Sequence, residues 1–200
     1  EPAFCSYFFQ GLLMDPFLDL ATIFEKHQQY SQNVLQRLSA PHFVYLNTPD
    51  PNKRIRLAYL SRDFFDQAAA FFLIPFLANR NPSEFEIYCY ADVKRVDKVT
   101  SHFQSLADQW YDIHSLLPEQ VAHLIHEHQI DILIDQGPGP TDGNSFEVFA
   151  RKPAPIQITR YFNSTGLSAF DYRLTDHYLD SPEIEHLNVE TLLRLPYSIF

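Results

Sequence analysis

The chain is poor in glycine, with 5 in 200 residues, and none of its turns carries a GxGxxG or GxxxxGKS/T pattern. A glycine-built phosphate cradle of either common kind is therefore excluded. It has only 2 cysteines, Cys5 and Cys89, far apart and without metal-ligand spacing, which suits a reducing compartment. Basic residues are few and scattered: 15 Lys and Arg stand against 25 Asp and Glu, for a formal net charge of −10. A nucleic-acid partner, which needs clustered cations, is not expected. No apolar run has the length of a membrane span and no signal-peptide pattern is visible, so the expectation is a cytoplasmic protein with no membrane partner. No Ser or Cys occupies an elbow-type turn, which leaves no argument for a nucleophile–His–acid triad.

What the chain does have is apolar mass. Hydrophobic residues make up 46% and aromatics 15%, enough for one sizeable core, so one domain with a short appendage is expected. The first residue is not Met and the last lie inside the apolar run RLPYSIF, which suggests a fragment of a longer protein.

Residues 1–40 read as helices. Phe4, Phe8, Gly11 and Leu12 share one face; after Asp15-Pro16, Asp19 can cap a second helix whose face repeats Ile23, His27, Tyr30, Val34 and Leu38. His27 on that face reads as a packed core histidine. Residues 41–53, with three prolines, read as a linker, and from Arg54 the pattern turns to strand–helix alternation. Ile55, Leu57 and Tyr59 alternate through a first strand. Ser61-Arg62-Asp63 then makes a turn, with Asp63 or Asp66 expected to cap a helix that runs from Gln67 to Pro75. Further strands are expected at Phe85 to Tyr90, Gln109 to Ile113, Ile130 to Ile134, Ile156 to Thr159 and Tyr172 to Leu174. Helices are expected at Asp92 to Leu106, with Val96 facing inward, and from Pro118; Pro182 to Phe200 should hold a last helix and strand. The fold class is α/β, a Rossmann-like lobe with a mostly parallel sheet flanked by helices and preceded by a short helical segment.

The junction of first strand and helix is where an α/β sheet usually holds its ligand. Asp63 is the acidic candidate there, with helix capping as its alternative role. His123, His126 and His128 resemble a metal cluster, yet they turn away from the apolar stripe of their helix and read as a solvated face, so no metal is expected. The loop Gln136 to Thr141 follows a buried strand, but Pro138 and Pro140 remove two of its N–H donors, and it reads as a rigid surface loop.

The blocks PDPNKRIRLAYLSRDF, FEIYCYAD, IDILIDQ, VFARKPAPIQIT and DYRLTD, in that order, resemble the catalytic region of the protein O-GlcNAc transferases, bacterial and plant Spindly-type, that follow tetratricopeptide repeats. The FARKPAPIQ segment is the most specific. The resemblance implies the first half of a two-lobed GT-B fold: 1–40 as the end of the repeat or linker region, 41–53 as linker, and 54–200 as the N-terminal lobe. It implies a second catalytic lobe as partner, and protein substrates or partners recruited through the preceding repeats. The donor would be UDP-GlcNAc, or GDP-fucose in Spindly-type relatives, with Ser or Thr hydroxyls as acceptors and no further cofactor.

The same resemblance implies the site and marks its departures. Asp63, Thr141, Thr165 and Gly166 match the family pattern. Gln67 stands where that pattern has a His; an amide hydrogen-bonds but does not relay a proton near neutral pH. Cys5 replaces the His of a His-Ser pair, and Pro140 that of Gly-His-Thr. Arg160 to Thr165, with Tyr161 and Phe162, replaces a longer glycine-containing stretch that lines the donor-sugar pocket, so Phe162 should fill that pocket. The expectation is a degenerate cleft, with Asp63 and Gln67 as its catalytic positions and Cys5, Thr141, Tyr161, Phe162, Thr165 and Gly166 as its donor side. The chain would then be a pseudoenzyme-like binding or accessory module, inactive alone. A working transferase needing its second lobe stays open beside it.

Overall fold

The computed structural model describes residues 11–12, 14–38, 43–136 and 143–198. Its centre is a seven-stranded, all-parallel sheet in the order β3-β2-β1-β4-β5-β6-β7. The strands are β1 (Ile55–Ser61), β2 (Phe85–Ala91), β3 (Gln109–Asp112), β4 (Ile132–Asp135), β5 (Ile156–Thr159), β6 (Tyr172–Asp176) and β7 (Thr191–Leu195). The helices are α1 (Leu20–Arg37), α2 (Ala68–Ala78), α3 (Lys98–Leu106), α4 (Pro118–Glu127) and α5 (Gly143–Ala150), with a 3-10 turn at Pro182–Leu187.

Strand β1 is central because its residues are apolar on both sides of the pleat, as parallel strands buried on two faces require. Ala58 and Leu60 enter one core with Tyr90, Leu133, Ile125 and Phe149; Tyr59 enters the other with Phe64, Leu73, Ile87 and Phe103. Phe64, Phe103 and Ile125 are fully buried, each contributing on the order of 2 kcal/mol of transfer free energy.

Helix starts follow local chemistry, not always the expected residue. Asp19 caps α1, its Oδ1 accepting the Thr22 N–H at 2.7 Å. Pro118 opens α4 at its first turn, where a missing N–H goes unused. Neither Asp63 nor Asp66 caps α2: the cap position is Gln67, whose side chain makes no capping bond. Instead the Asp66 N–H donates to Asp97 Oδ2 at 2.8 Å. Helix α2 also continues through Pro75 to Ala78. Proline supplies no N–H to the Phe71 carbonyl, and Phe71 lies on the exposed side of the helix. Helix α3 begins at Lys98, not Asp92, because Asp97 and Thr100 form a capping box. Residues 92–96 therefore lie outside the helix, and Val96, expected inside, is 62% exposed.

The connections from β5 to β6 and from β6 to β7 contain no α-helix. Helix α1 supplies the missing cover on one face. Its Val34 belongs to the sheet's core, Tyr30 meets Phe146 of α5 at 5.5 Å, and Ser31 Oγ donates to the Thr165 carbonyl at 2.9 Å. On the other face Ile156 and Leu193 remain more than a third exposed. Residues 43–53 run along the sheet's amino edge, fastened by Asn47 to Asp131 and by Lys53 to Asp131 at 2.6 Å. No helix among the described residues is long and apolar enough to cross a membrane.

Candidate functional site

The strand order reverses between β1 and β4, and the crevice at their carboxyl ends is the position where open α/β sheets bind ligands. Ser61, 1% exposed, ends β1 and accepts the Asp63 N–H on its Oγ at 2.9 Å. This tightens the glycine-free turn by a side-chain bond in place of a left-handed residue. Gln67 then donates from Nε2 to the Asp63 carbonyl at 3.2 Å. The structure therefore brings Asp63 and Gln67 together on one turn. At the end of β4, Asp135 is 2% exposed and accepts from Thr159 Oγ1 at 3.0 Å; beside it Gln136 is 8% exposed with an unpartnered Oε1. Cys5 and Thr141 lie outside the described residues.

The segment after β5 is held by buried polar groups that no spacing in the sequence betrays. Arg173, 1% exposed, pairs with Asp180 at 2.6 Å and donates to the carbonyls of Tyr161 and Phe162 at 3.3 and 3.2 Å. Thr175 Oγ1 donates to the second oxygen of Asp180. Glu190, 4% exposed, accepts from Ser164 Oγ at 2.7 Å, from the Thr165 N–H at 2.8 Å and from Thr165 Oγ1 at 2.5 Å. Buried charges persist only where paired and bonded in this way.

Three of the expected donor-side residues thus meet α1. Tyr161 is buried and its hydroxyl bonds His27 Nε2 at 3.1 Å; burial pushes that phenol up. Thr165 is fully buried. Gly166 has φ +70°, and a Cβ there would lie 2.5 Å from backbone atoms of His27 and Gln28, so only glycine fits. Phe162 is half exposed at the tip of this braced segment. Arg160 keeps a buried Nε without a partner, and burial pulls its guanidinium below the usual arginine value, opposed by nearby Tyr59.

The three histidines near α4 separate. His126 stacks on Phe43 at 4.5 Å, His123 meets the same ring edge-on at 5.2 Å, and His128 Nδ1 shares a hydrogen bond with the Tyr90 hydroxyl at 2.8 Å. The face expected to be solvated thus packs on aromatic rings at all three positions.

Composition and spacing did not single out a second pair at the carboxyl edge. Asp92 is the first residue after β2, and His114 lies two residues after β3. Adjacent parallel strands bring their ends side by side: Ala91 pairs with Asp112, and His114 Nδ1 meets Asp92 Oδ1 at 2.5 Å. The Asp92 N–H also donates to the Ser61 carbonyl at 3.0 Å, tying this pair to the end of β1. The signal was available in the strand ends, once those strands are taken as neighbours.

An α/β lobe with its ligand edge at a switch point is the class that this architecture defines. Residues 19–200 match the family model described as glycosyl transferase family 41, and the chain belongs to that family. Among curated relatives it is 32% identical over 180 residues to a protein of Arabidopsis thaliana described as probable UDP-N-acetylglucosamine–peptide N-acetylglucosaminyltransferase SPINDLY. That match covers 87% of this chain and 20% of the relative. A second Arabidopsis protein with the same description, SEC, is 28% identical over 195 residues, covering 94% and 20% respectively. The chain thus spans about a fifth of the length of these relatives. A solved structure of a mutant O-GlcNAc transferase from Thermobaculum terrenum superposes with a TM-score of 0.91 at 28% identity, covering 99% of this chain and 38% of that one. The fold is accordingly the Rossmann-like lobe of an O-GlcNAc-transferase-type GT-B enzyme.

Proposed function

We propose that this chain is the first lobe of an O-GlcNAc-transferase-like protein whose cleft no longer supports transfer, and that it serves as a protein- or glycan-binding accessory module in the cytoplasm. The observation that carries this reading is Gln67. Its amide rests on the Asp63 carbonyl at 3.2 Å, in the turn where proton relay to or from an acceptor hydroxyl would be needed. A carboxamide neither accepts nor releases a proton at neutral pH, so the position is left with hydrogen bonding alone. Phe162, half exposed at the tip of a segment braced by Arg173 and Glu190, supports the same reading because a phenyl ring stands where the family pattern has a glycine-containing stretch. A second lobe and preceding helical repeats are the partners this reading implies.

A second reading is an active lobe that transfers N-acetylglucosamine from UDP-GlcNAc, or fucose from GDP-fucose, to Ser or Thr once joined to its second lobe. The imidazole of His114, paired to Asp92 on the same sheet edge, favours it. Transfer of radiolabelled GlcNAc from UDP-GlcNAc, or of radiolabelled fucose from GDP-fucose, to acceptor protein by protein containing both lobes separates the two. The first reading expects no labelling above the enzyme-free rate. Labelling that Asp63→Asn abolishes would establish the second.

A further inference from the structure

From β4 to β7 the sheet is aliphatic on the side that no described element covers. Its other side, against α1 and α5, buries Gln157, Thr159, Arg173 and Thr175. The uncovered side carries Ile132, Ile134, Ile156, Ile158, Leu174 and Leu193, aligned across neighbouring strands. Ile156 is 37% and Leu193 38% exposed, and the other four are only partly buried. Parallel sheets have both faces covered, so aliphatic residues aimed outward in this way mark a missing layer.

The lobe's own crossovers do not supply that layer. Right-handed connections place α2 and α3, on the way from β1 out to β3, on this side of the sheet, and α5, on the way from β4 to β5, on the other. The segment after β5 also turns to the other side, where it meets α1. Between α2 and the open face runs a groove of about 550 Å³, floored by Leu57, Tyr59 and Ile87 and walled by Pro75 and Phe76. A helix is about 10 Å across and strands lie about 4.8 Å apart, so one helix beside α2 spans β4 and β5. Arg160, two residues after Ile158 and so on the same side, ends this strip within electrostatic reach of Tyr59. Its Nε is buried without an acceptor, and it forms no ion pair among the described residues. A guanidinium desolvated in that way calls for a carboxylate.

We propose that this face docks an amphipathic helix carried by the same polypeptide beyond residue 200, laid beside α2 over β4 and β5, with a carboxylate of that helix paired to Arg160. The helix would bring an aliphatic stripe at the usual spacing of three and four residues, with an acidic residue toward the carboxyl edge of the sheet. This rests on the first-lobe reading and names the surface by which the rest of the protein holds the lobe. The chain spans a fifth of the Arabidopsis relative and 38% of the Thermobaculum chain, so most of the length of such proteins lies outside it. A segment tethered in the same polypeptide also docks without the entropy cost of association that a separate partner meets.

The test is photo-cross-linking of the full-length protein with p-benzoylphenylalanine placed at position 156, mixed from nitrogen-14 and nitrogen-15 preparations and mapped by mass spectrometry. The expected product joins position 156 to one helical segment beyond residue 200, within a single isotope. The same probe at position 71, on the exposed side of α2, should not reach that segment. Mixed-isotope products would assign the face to a second copy, and a product with another protein to a separate partner. Either of these, or no product at all, would overturn the proposal. Arg160→Glu should speed amide hydrogen exchange in the cross-linked segment by roughly tenfold, the scale of a hydrogen bond to a charged group. Changing the facing Asp or Glu of that segment to Arg in the same protein should restore the slow rate. Unchanged exchange, or no restoration, would remove Arg160 from the contact. The intact mass of the natural protein reports separately on the first-lobe reading. A chain with no second lobe ends both, whereas a two-lobed chain that leaves position 156 without a product ends only the docked helix.

Discussion

His27 shows how one side chain can set the pH range in which the lobe is stable. It is fully buried between α1 and the Tyr161 segment, with Nδ1 on the Ile23 carbonyl at 2.7 Å, and burial lowers its pKa from the usual value of 6.5. The unfolded chain therefore binds a proton at a pH where the folded chain does not. The stabilisation is complete above about pH 6.5 and is lost as pH falls from there toward the lower folded value. Thermal unfolding should show the melting temperature dropping between pH 7 and pH 5, and dropping less in His27→Gln. An unchanged slope in that variant would assign the effect elsewhere, His128 being the other histidine held low by burial. Nearby, Gly166→Ala should cost about 1–3 kcal/mol in denaturant unfolding, since the added methyl meets the α1 backbone at 2.5 Å with φ at +70°. Glu190→Ala should cost about 3 kcal/mol or more by orphaning the buried donors of Ser164 and Thr165. The packing of His27 was legible in the helical spacing of its face; the bonds that hold the facing segment were not. Thr165 and Gly166 were noticed only as matches to a family pattern, and the charge that holds Thr165 comes from Glu190, 25 positions away in sequence.

Among elements, those whose apolar residues follow one period were the readable ones. Strand β5 runs from Ile156 to Thr159 as its β-branched run suggests, and α4 begins at Pro118. Boundaries failed where a cap competes with periodicity, as at Asp97, whose side chain starts α3 six residues after the expected point. Helix α2 was harder, because AAAFFLIPFLA is apolar all round and gives no face. The structure assigns one: Leu73 and Leu77 are buried, while Phe71 is 78% and Phe76 58% exposed. Leu73→Ala should therefore destabilise by about 2–5 kcal/mol. Phe71→Ser should stay within about 0.5 kcal/mol of the unsubstituted chain, both read from urea midpoints. A large loss for Phe71→Ser would place that ring in a contact that the fold does not show.

At the scale of the whole molecule, α1 is part of the lobe's core and does the work of the crossover helices absent after β5. Its residues touch the same segment, Tyr161 to Gly166, that replaces the donor-pocket stretch of the family pattern. Packing of α1 is thereby coupled to the conformation of that segment. A mostly parallel sheet, with a crevice at the junction of its first strand and helix, was foreseeable from strand–helix alternation. The Asp92–His114 pair was not, because it depends on which strands are neighbours.

The central claim is that the cleft has closed to the donor sugar. The most direct measurement is calorimetric titration of protein containing both lobes with UDP and with UDP-GlcNAc, beside a Phe162→Gly variant. The account expects no binding of UDP-GlcNAc beyond that of UDP alone, with sugar-dependent affinity appearing in the variant. Micromolar binding of UDP-GlcNAc by the unsubstituted protein, tighter than UDP, would contradict it and put the active transferase first.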